Sequence, residues 1–252
     1  MNSNQHTNFY SGTSGLVLPV ANKLGYPAEY RDRSRLTFYA SLFNSVEINS
    51  SFKKLPMART VEKWAASVPS KFQFTFKCWS AITHNKGLAF NPEDVQKIFQ
   101  LIAGVGNKKG CLLVQFPGSL QSNCFQQLKL LLQTIRENDP DEEWKVAVEF
   151  RNESWYEKNT YNLLDEQHMA LVLHDLPKSA PPLNRITSSF IYLRFHGPEK
   201  GYRGSYSEVF LNSYAQLIKG WMLSGKVVYV YFNNTLGAAV HNLQTLNSLI
   251  KP

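Results

Sequence analysis

Eight short runs rich in β-branched and aromatic residues recur along the chain, and nearly every one is followed by a segment with helical spacing. The runs fall at 8–12, 45–49, 72–78, 111–116, 145–151, 169–175, 190–197 and 226–233. Val, Ile, Phe and Tyr suit a pleated, half-buried backbone, so these read as strands. Between them, 30–43 places Leu36, Tyr39, Ala40 and Phe43 on one helical face, and 122–137 does the same with Leu128, Leu131, Leu132 and Ile135. Residues 60–67, 92–103, 154–167, 207–223 and 237–250 read as further helices. Asn91 before Pro92 is a helix-start signal, a capping side chain followed by a pre-set φ. After the sixth run, Pro177, Pro181 and Pro182 interrupt any helical pattern between 176 and 189.

Strands alternating with helices imply parallel pairing through right-handed crossovers, and eight such units close on themselves. The predicted fold is therefore α/β: a single (β/α)8 TIM barrel of eight parallel strands, with an irregular loop replacing most of the helix after strand six. A length of 252 residues suits one such domain spanning 1–252. With 43% apolar and 18% charged residues, a sizeable core is expected and disorder is not. An open doubly wound sheet would carry a G-x-G-x-x-G turn after the first run, and Gly12-Thr13-Ser14-Gly15 lacks that spacing.

Alternation within the runs says where the polar groups go. Val46 and Ile48 oppose Glu47 and Asn49. Phe72, Phe74 and Phe76 oppose Gln73, Thr75 and Lys77. Leu112, Val114 and Phe116 oppose Leu113 and Gln115. Val146, Val148 and Phe150 oppose Ala147, Glu149 and Arg151. Ile191, Leu193 and Phe195 oppose Tyr192, Arg194 and His196, and Val228, Val230 and Phe232 oppose Tyr229, Tyr231 and Asn233. The bulky face must meet the helices, so the other face points into the barrel. Its ionisable members come late in each strand, at the C-terminal rim where barrel sites are built. Buried charge is costly unless partnered, so these groups must pair with one another, with water or with a ligand. The same alternation would describe an antiparallel sheet with one wet face, but the long helical segments argue against it.

Candidate catalytic residues follow. Glu47 and Glu149 are paired carboxylates fit for acid–base work, or else counterions of Lys77, Arg151 and Arg194. His196 suits proton transfer near neutral pH. Lys77, if desolvated, suits a general-base or Schiff-base role, against the commoner fate of an ion-paired lysine. Arg151 and Arg194 clamp carboxylate or phosphate. Asn49, Gln115, Asp175, Tyr231, Asn233 and His84 complete the expected ligand-binding set. His174 reads equally as a packed core histidine with Asp175 orienting a neighbour. Trp64, Trp155 and Trp221 read as packing, whereas Trp79 is better placed to face a ligand. Tyr202 and Tyr206 lie in the glycine-flanked loop 201–206, a lid, a stacking surface or an ordinary loop.

His196 with Glu47, Glu149 and Asp175 offers mixed ligands to a divalent ion, but no H-x-H or H-E-x-x-H spacing supports one and the nearby cations favour an anion, so no metal ligand is assigned. No dinucleotide, P-loop or nucleophile-elbow motif is present, which disfavours NAD, ATP and serine-hydrolase chemistry and leaves the cofactor open. The net charge of +8, from 27 basic and 19 acidic residues, permits nucleic acid as a partner without selecting it. Three cysteines without a C-x-x-C pair point to a reducing compartment. Met1–Thr7 carries no apolar leader, and no run approaches the roughly 20 apolar residues of a membrane span, so a soluble cytoplasmic protein without membrane contact is expected. Oligomeric state is left open.

These residues resemble the DUF72 (YecE-like) family. The matching segments are Gly12-Thr13-Ser14-Gly15, 43–52 followed by Leu55-Pro56, Ile82-Thr83-His84, Gln115-Phe116-Pro117, Glu149-Phe150-Arg151 with Ser154-Trp155, Arg194-Phe195-His196-Gly197, and 229–234. The resemblance implies a TIM barrel and leaves the biochemical role unassigned. This chain has Leu16 where the family often has an aromatic, Lys53 where it often has Tyr, and Asn152 where it commonly has His. The first two bear on the site mouth, and the third removes a histidine from that position. Three readings follow: an enzyme using general acid–base chemistry on a small anionic or hydroxylated substrate, a nucleic-acid-binding or processing barrel, and a ligand-binding protein without catalysis.

Overall fold

The computed structural model describes residues 8–183 and 185–250. The expectation about Met1–Thr7 lies outside the described residues. Eight strands are present among the described residues: β1 Phe9–Thr13, β2 Ser45–Ile48, β3 Gln73–Lys77, β4 Lys109–Gln115, β5 Lys145–Glu149, β6 Ala170–His174, β7 Phe190–Phe195 and β8 Val227–Phe232. Each pairs in parallel with its neighbours, in the order β1-β8-β7-β6-β5-β4-β3-β2. The ring closes between β1 and β2 through one parallel bridge, Ser14 with Glu47, and the Gly15 N–H donates to the Glu47 carbonyl at 2.8 Å. The fold is the eight-stranded parallel barrel that the strand–helix alternation predicts.

That seam depends on Gly12, where a Cβ would stand 2.1 Å from the Ser45 carbonyl oxygen and 2.9 Å from the Tyr39 hydroxyl. The Tyr39 hydroxyl accepts from the Thr13 N–H at 2.7 Å and donates to the Ser45 carbonyl at 3.2 Å, stitching the two strands where direct ladder bonds are sparse.

The helices among the described residues are α1 Arg35–Leu42, α2 Ser50–Lys53, α3 Ala58–Ala66, α4 Ser80–Thr83, α5 Pro92–Ile102, α6 Phe125–Glu137, α7 Lys158–Glu166, α8 Glu208–Leu223 and α9 Ala239–Ile250. Side-chain caps fix several starts. Asn91 caps α5 and Ser207 caps α8 by accepting from Glu93 and Phe210 N–H groups. The helix expected from residue 30 begins instead at Arg35, because extended Ser34 accepts from the Thr37 N–H and the preceding Ala28–Tyr30 turn is a separate 3-10 segment. Likewise 122–124 and 153–155 form 3-10 turns ahead of α6 and α7. The single-turn helices α2 and α4 have no counterpart in the sequence reading. Between β6 and β7 no helix is found among the described residues, in keeping with the proline-rich spacing.

Two apolar clusters lie on opposite sides of the strands. Val46, Phe74, Phe76, Val114, Val148, Leu193, Val230 and their alternates pack outward against helix residues such as Val95, Leu128 and Ile218. Cys111, Leu113, Ala147, Val172, Tyr192, Tyr229 and Tyr231 fill the barrel interior. Polar strand residues share the second face, so they end at the barrel axis. No helix among the described residues is long and apolar enough to cross a membrane.

Candidate functional site

Period-two alternation carries Glu47, Lys77, Gln115, Glu149 and Arg194 to the axis at the last or penultimate position of their strands, and Asn49, Arg151, His196 and Asn233 follow just beyond the strand ends. Register aligns them in height. Gln115 pairs with Glu149, and Arg194 lies between His174 and Tyr231. The groups therefore converge at the C-terminal rim.

Arg194, only 1% exposed, is the hub. Its Nε and Nη2 grip Glu47 Oε2 and Oε1 at 2.9 and 2.7 Å, a bidentate pair, while Nη1 reaches Glu149 Oε2 at 2.7 Å. The Tyr192 hydroxyl donates to Glu47 Oε2 at 2.7 Å and the Ser14 hydroxyl to Oε1 at 2.5 Å. Arg151 Nε holds the remaining Glu149 oxygen. Both carboxylates are wholly buried. Burial alone would disfavour their ionised forms, but the Arg194 charge outweighs it and holds both below the usual carboxylate range. Arg194 is in turn held protonated, the attraction of Glu149 and Glu47 overcoming its desolvation. Expected as an acid–base pair, Glu47 and Glu149 present no free oxygen to solvent; the geometry makes them counterions.

His196 sits under a second chain. The Arg151 and Arg194 guanidiniums, donors only, face its Nε2 at 2.9 and 3.4 Å, so Nε2 accepts and the ring proton lies on Nδ1, 3.3 Å from Asp175 Oδ1. Asp175 also accepts the His196 backbone N–H at 2.8 Å and the Tyr206 hydroxyl proton. Burial brings His196 down to about 4, against the pull of Asp175 and Glu149. A neutral ring with both nitrogens engaged is a poor proton shuttle at neutral pH. It instead orients Arg151, and Asp175 orients it. Tyr206, read from the sequence as part of a lid, a stacking surface or an ordinary exposed loop, is buried at 8% exposure as the outer support of Asp175.

Above this layer a small cavity of about 160 Å³ opens, lined by Asn49, Phe52, Lys77, Gln115, Arg151, Arg194, Tyr202 and Asn233. Its lining has three cations and no carboxylate. Lys77 Nζ rests 4.0 Å from the Phe52 ring centroid and has no carboxylate within 4.0 Å among the described residues. Burial, then repulsion from Arg194, brings its ammonium down to about 8, even though Glu47 and Glu149 pull the other way. Gln115 is fixed by donating Nε2 to the Phe116 carbonyl at 2.5 Å. That leaves its carbonyl, the Asn233 amide and Arg151 Nη1 for a ligand.

Three expected ligand contacts stand elsewhere. Tyr231 is wholly buried below the mouth, its hydroxyl shared by Ser45 at 2.6 Å and Thr75 at 2.7 Å. His84 lies behind Phe52, edge-on at 4.8 Å, with Nδ1 on the Thr83 hydroxyl at 2.8 Å. Asp175 serves His196 rather than the cavity. Trp79 packs against the outer core and does not line the mouth, whereas Trp155 stacks on Phe150 at 5.0 Å as packing. His174 is the core histidine the sequence allows, its Nε2 2.9 Å from the Phe150 carbonyl oxygen. Asn152, where the family often has histidine, caps a 3-10 turn and donates to the Gly118 carbonyl at 3.0 Å. Sequence reasoning missed Ser14, Tyr192 and Phe52. Tyr192 shares the inward face with Arg194 and was legible there; Ser14 and Phe52 lie outside any strand pattern. A metal has no ready-made set here: among the described residues no three His, Cys, Asp or Glu side chains are arranged to hold one, and Arg194 occupies the space between the two carboxylates.

Comparison with known proteins places the fold in context. A family model described as protein of unknown function DUF72 matches residues 10–252. UPF0759 protein YunF of Bacillus subtilis (strain 168) is 27% identical over 256 residues, covering 89% of each chain. A DUF72 family protein from Thermotoga maritima superposes with a TM-score of 0.71 at 26% identity, covering 98% of this chain and 100% of that one. One from Enterococcus faecalis gives 0.77 at 22% identity, covering 96% and 95%.

Proposed function

This chain is a member of the DUF72 family, and we propose that its barrel rim is an enzyme site for a small anionic, hydroxylated substrate, with Lys77 as the group that moves the proton. One observation carries this reading: the mouth is lined by Lys77, Arg151 and Arg194, while every nearby carboxylate is turned away from it. Two buried carboxylates hold the guanidiniums in place and offset two of the three positive charges, leaving the mouth one cation in excess. A phosphate or carboxylate meets Arg151 and Lys77, and ligand hydroxyls meet the amides of Gln115 and Asn233. Lys77 is the one cation of the three without a carboxylate partner, so it is the one that can release and regain a proton near neutral pH. A volume of about 160 Å³ admits a headgroup, not a duplex.

Thermal-shift titration with inorganic phosphate and with small hydroxylated monophosphates tests the site, since ligand at 100-fold over Kd stabilises by about 2.7 kcal/mol. Stabilisation lost in Arg151→Gln and Lys77→Met is expected. A melting temperature indifferent to all these anions overturns the reading. A turnover assay on any stabilising compound separates an enzyme from a binding protein, and Lys77→Met should abolish turnover.

A further inference from the structure

We propose that Lys77 acts as a nucleophile, forming an imine with a small carbonyl compound that also bears a carboxylate or phosphate. The inference rests on reading the mouth as an anion site and adds the reacting group of the substrate. Arg151 and Arg194 each have a carboxylate partner at hydrogen-bonding distance, whereas Lys77 has none. Its Nζ lines the cavity, held over the Phe52 ring at 4.0 Å and surrounded by cations of the same sign. A lysine that merely balanced charge would sit on Glu47 or Glu149, but both are saturated by guanidiniums. An amine desolvated beside other cations is the arrangement that frees a nitrogen lone pair, and the depressed lysine pKa agrees with it. Arg151 Nη1 is free to anchor the anionic end of the substrate in the same small cavity that Lys77 lines, so that a carbonyl close to that end shares the space with Nζ. The unbonded Asn233 amide and the Gln115 carbonyl receive the hydroxyl formed there.

The step balances without an oxidant or cofactor. The Nζ lone pair forms a bond to the carbonyl carbon, the carbonyl π pair moves to oxygen, and proton transfer through water gives a carbinolamine. The nitrogen lone pair then expels the hydroxyl group, which takes a proton from solvent and leaves as water, and a protonated C=N bond remains on Lys77.

The test treats the protein with pyruvate, glyoxylate or dihydroxyacetone phosphate in the presence of sodium borohydride, followed by intact mass and peptide mapping. Reduction of the imine leaves a secondary amine, so the mass gain is that of the carbonyl compound less one oxygen, water being lost on condensation and two hydrogens gained on reduction. The expected result is an adduct on Lys77 with at least one probe, at a rate at least ~10-fold above exposed Lys86 and Lys200, suppressed by excess inorganic phosphate and absent in Lys77→Arg. Adducts spread evenly over surface lysines, or none with any probe, overturn the inference. If phosphate still stabilises the protein in that case, the anion site stands and only the imine fails. If phosphate gives no stabilisation either, both fail together.

Discussion

Replacing Arg194 by Met should reverse the sign of the Glu47 contribution to the pH dependence of stability. In the intact protein Glu47 and Glu149 titrate below their unfolded value near 4.5. Their contribution is therefore complete at neutral pH and is lost as the medium is acidified through the folded-state values. Arg194→Met removes the bidentate partner of Glu47 and one of the two partners of Glu149, which keeps Arg151. Glu47 is then a wholly buried carboxylate with only the hydroxyls of Ser14 and Tyr192. Breaking a buried pair from one side costs roughly 3–5 kcal/mol, a large part of the ~5–15 kcal/mol that holds a domain folded. For a chain of this size that is a fall of roughly 6–20 °C in melting temperature. With its cation gone, burial dominates and the folded-state pKa of Glu47 rises above the unfolded one. Its contribution is then greatest below the unfolded value and declines as pH rises. Urea denaturation from pH 7 to pH 5 should show the native protein losing stability, because His196 and His174 resist in the fold the proton that the unfolded chain takes up, while Glu47 in the variant offsets that loss by up to about 1.4 kcal/mol per pH unit. Glu47→Gln in the same chain should recover much of the loss. A variant that loses less than about 1 kcal/mol, or one with the native profile, refutes the hub.

Other outcomes follow from the same geometry. Gly12→Ala drives a Cβ into the β1–β2 seam at 2.1 Å from the Ser45 oxygen and should cost about 2 kcal/mol in a denaturant titration; an unchanged midpoint would mean that the seam yields freely. Asp175→Asn should weaken phosphate binding about 10-fold through misplacement of Arg151, with a smaller loss in Tyr206→Phe, measured by calorimetry alongside melting temperature; unchanged affinity removes the positioning chain. Phosphate affinity should fall as pH rises through about 8, where Lys77 loses its charge, and Lys77→Arg should flatten that fall; a profile unaltered by Lys77→Arg assigns the titration elsewhere. A thiol reagent should label Cys124 in the native protein and all three cysteines only after unfolding, since burial shields Cys111 and Cys78 and pushes the Cys78 thiol up to about 12.

The barrel was legible because its signals are local. Alternation in a strand of five or six residues says which side chains face the axis, and the two separate apolar clusters obey it strand by strand. Height along the barrel was also legible, since charged residues fall late in their strands. What the pattern does not contain is pairing across the ring. Arg194 meets Glu47 across 147 positions and Glu149 across 45, and only the closed geometry decides that one guanidinium takes both. Tyr231 illustrates a related gap. It shares a face with Asn233, yet two residues are a rise of roughly 6.6 Å, enough to place one side chain at the mouth and the other in the sealed interior. Ser14 and Phe52 lie past the strand ends, where turns rather than periodicity set direction.

That gap in cross-ring pairing changes the chemistry assigned to each residue type. Two carboxylates at neighbouring heights suggest an acid and a base, and a histidine near them suggests a shuttle. Once Arg194 and Arg151 are placed between them, proton affinity is redistributed. The carboxylates stay charged at neutral pH, and His196 becomes a neutral acceptor whose orientation is set by Asp175. The fixed charges are then consumed in pairs, and what remains uncompensated at the mouth is the cation without a partner. The group left over after pairing is Lys77, which is why the proposed proton transfer and imine chemistry are assigned to it.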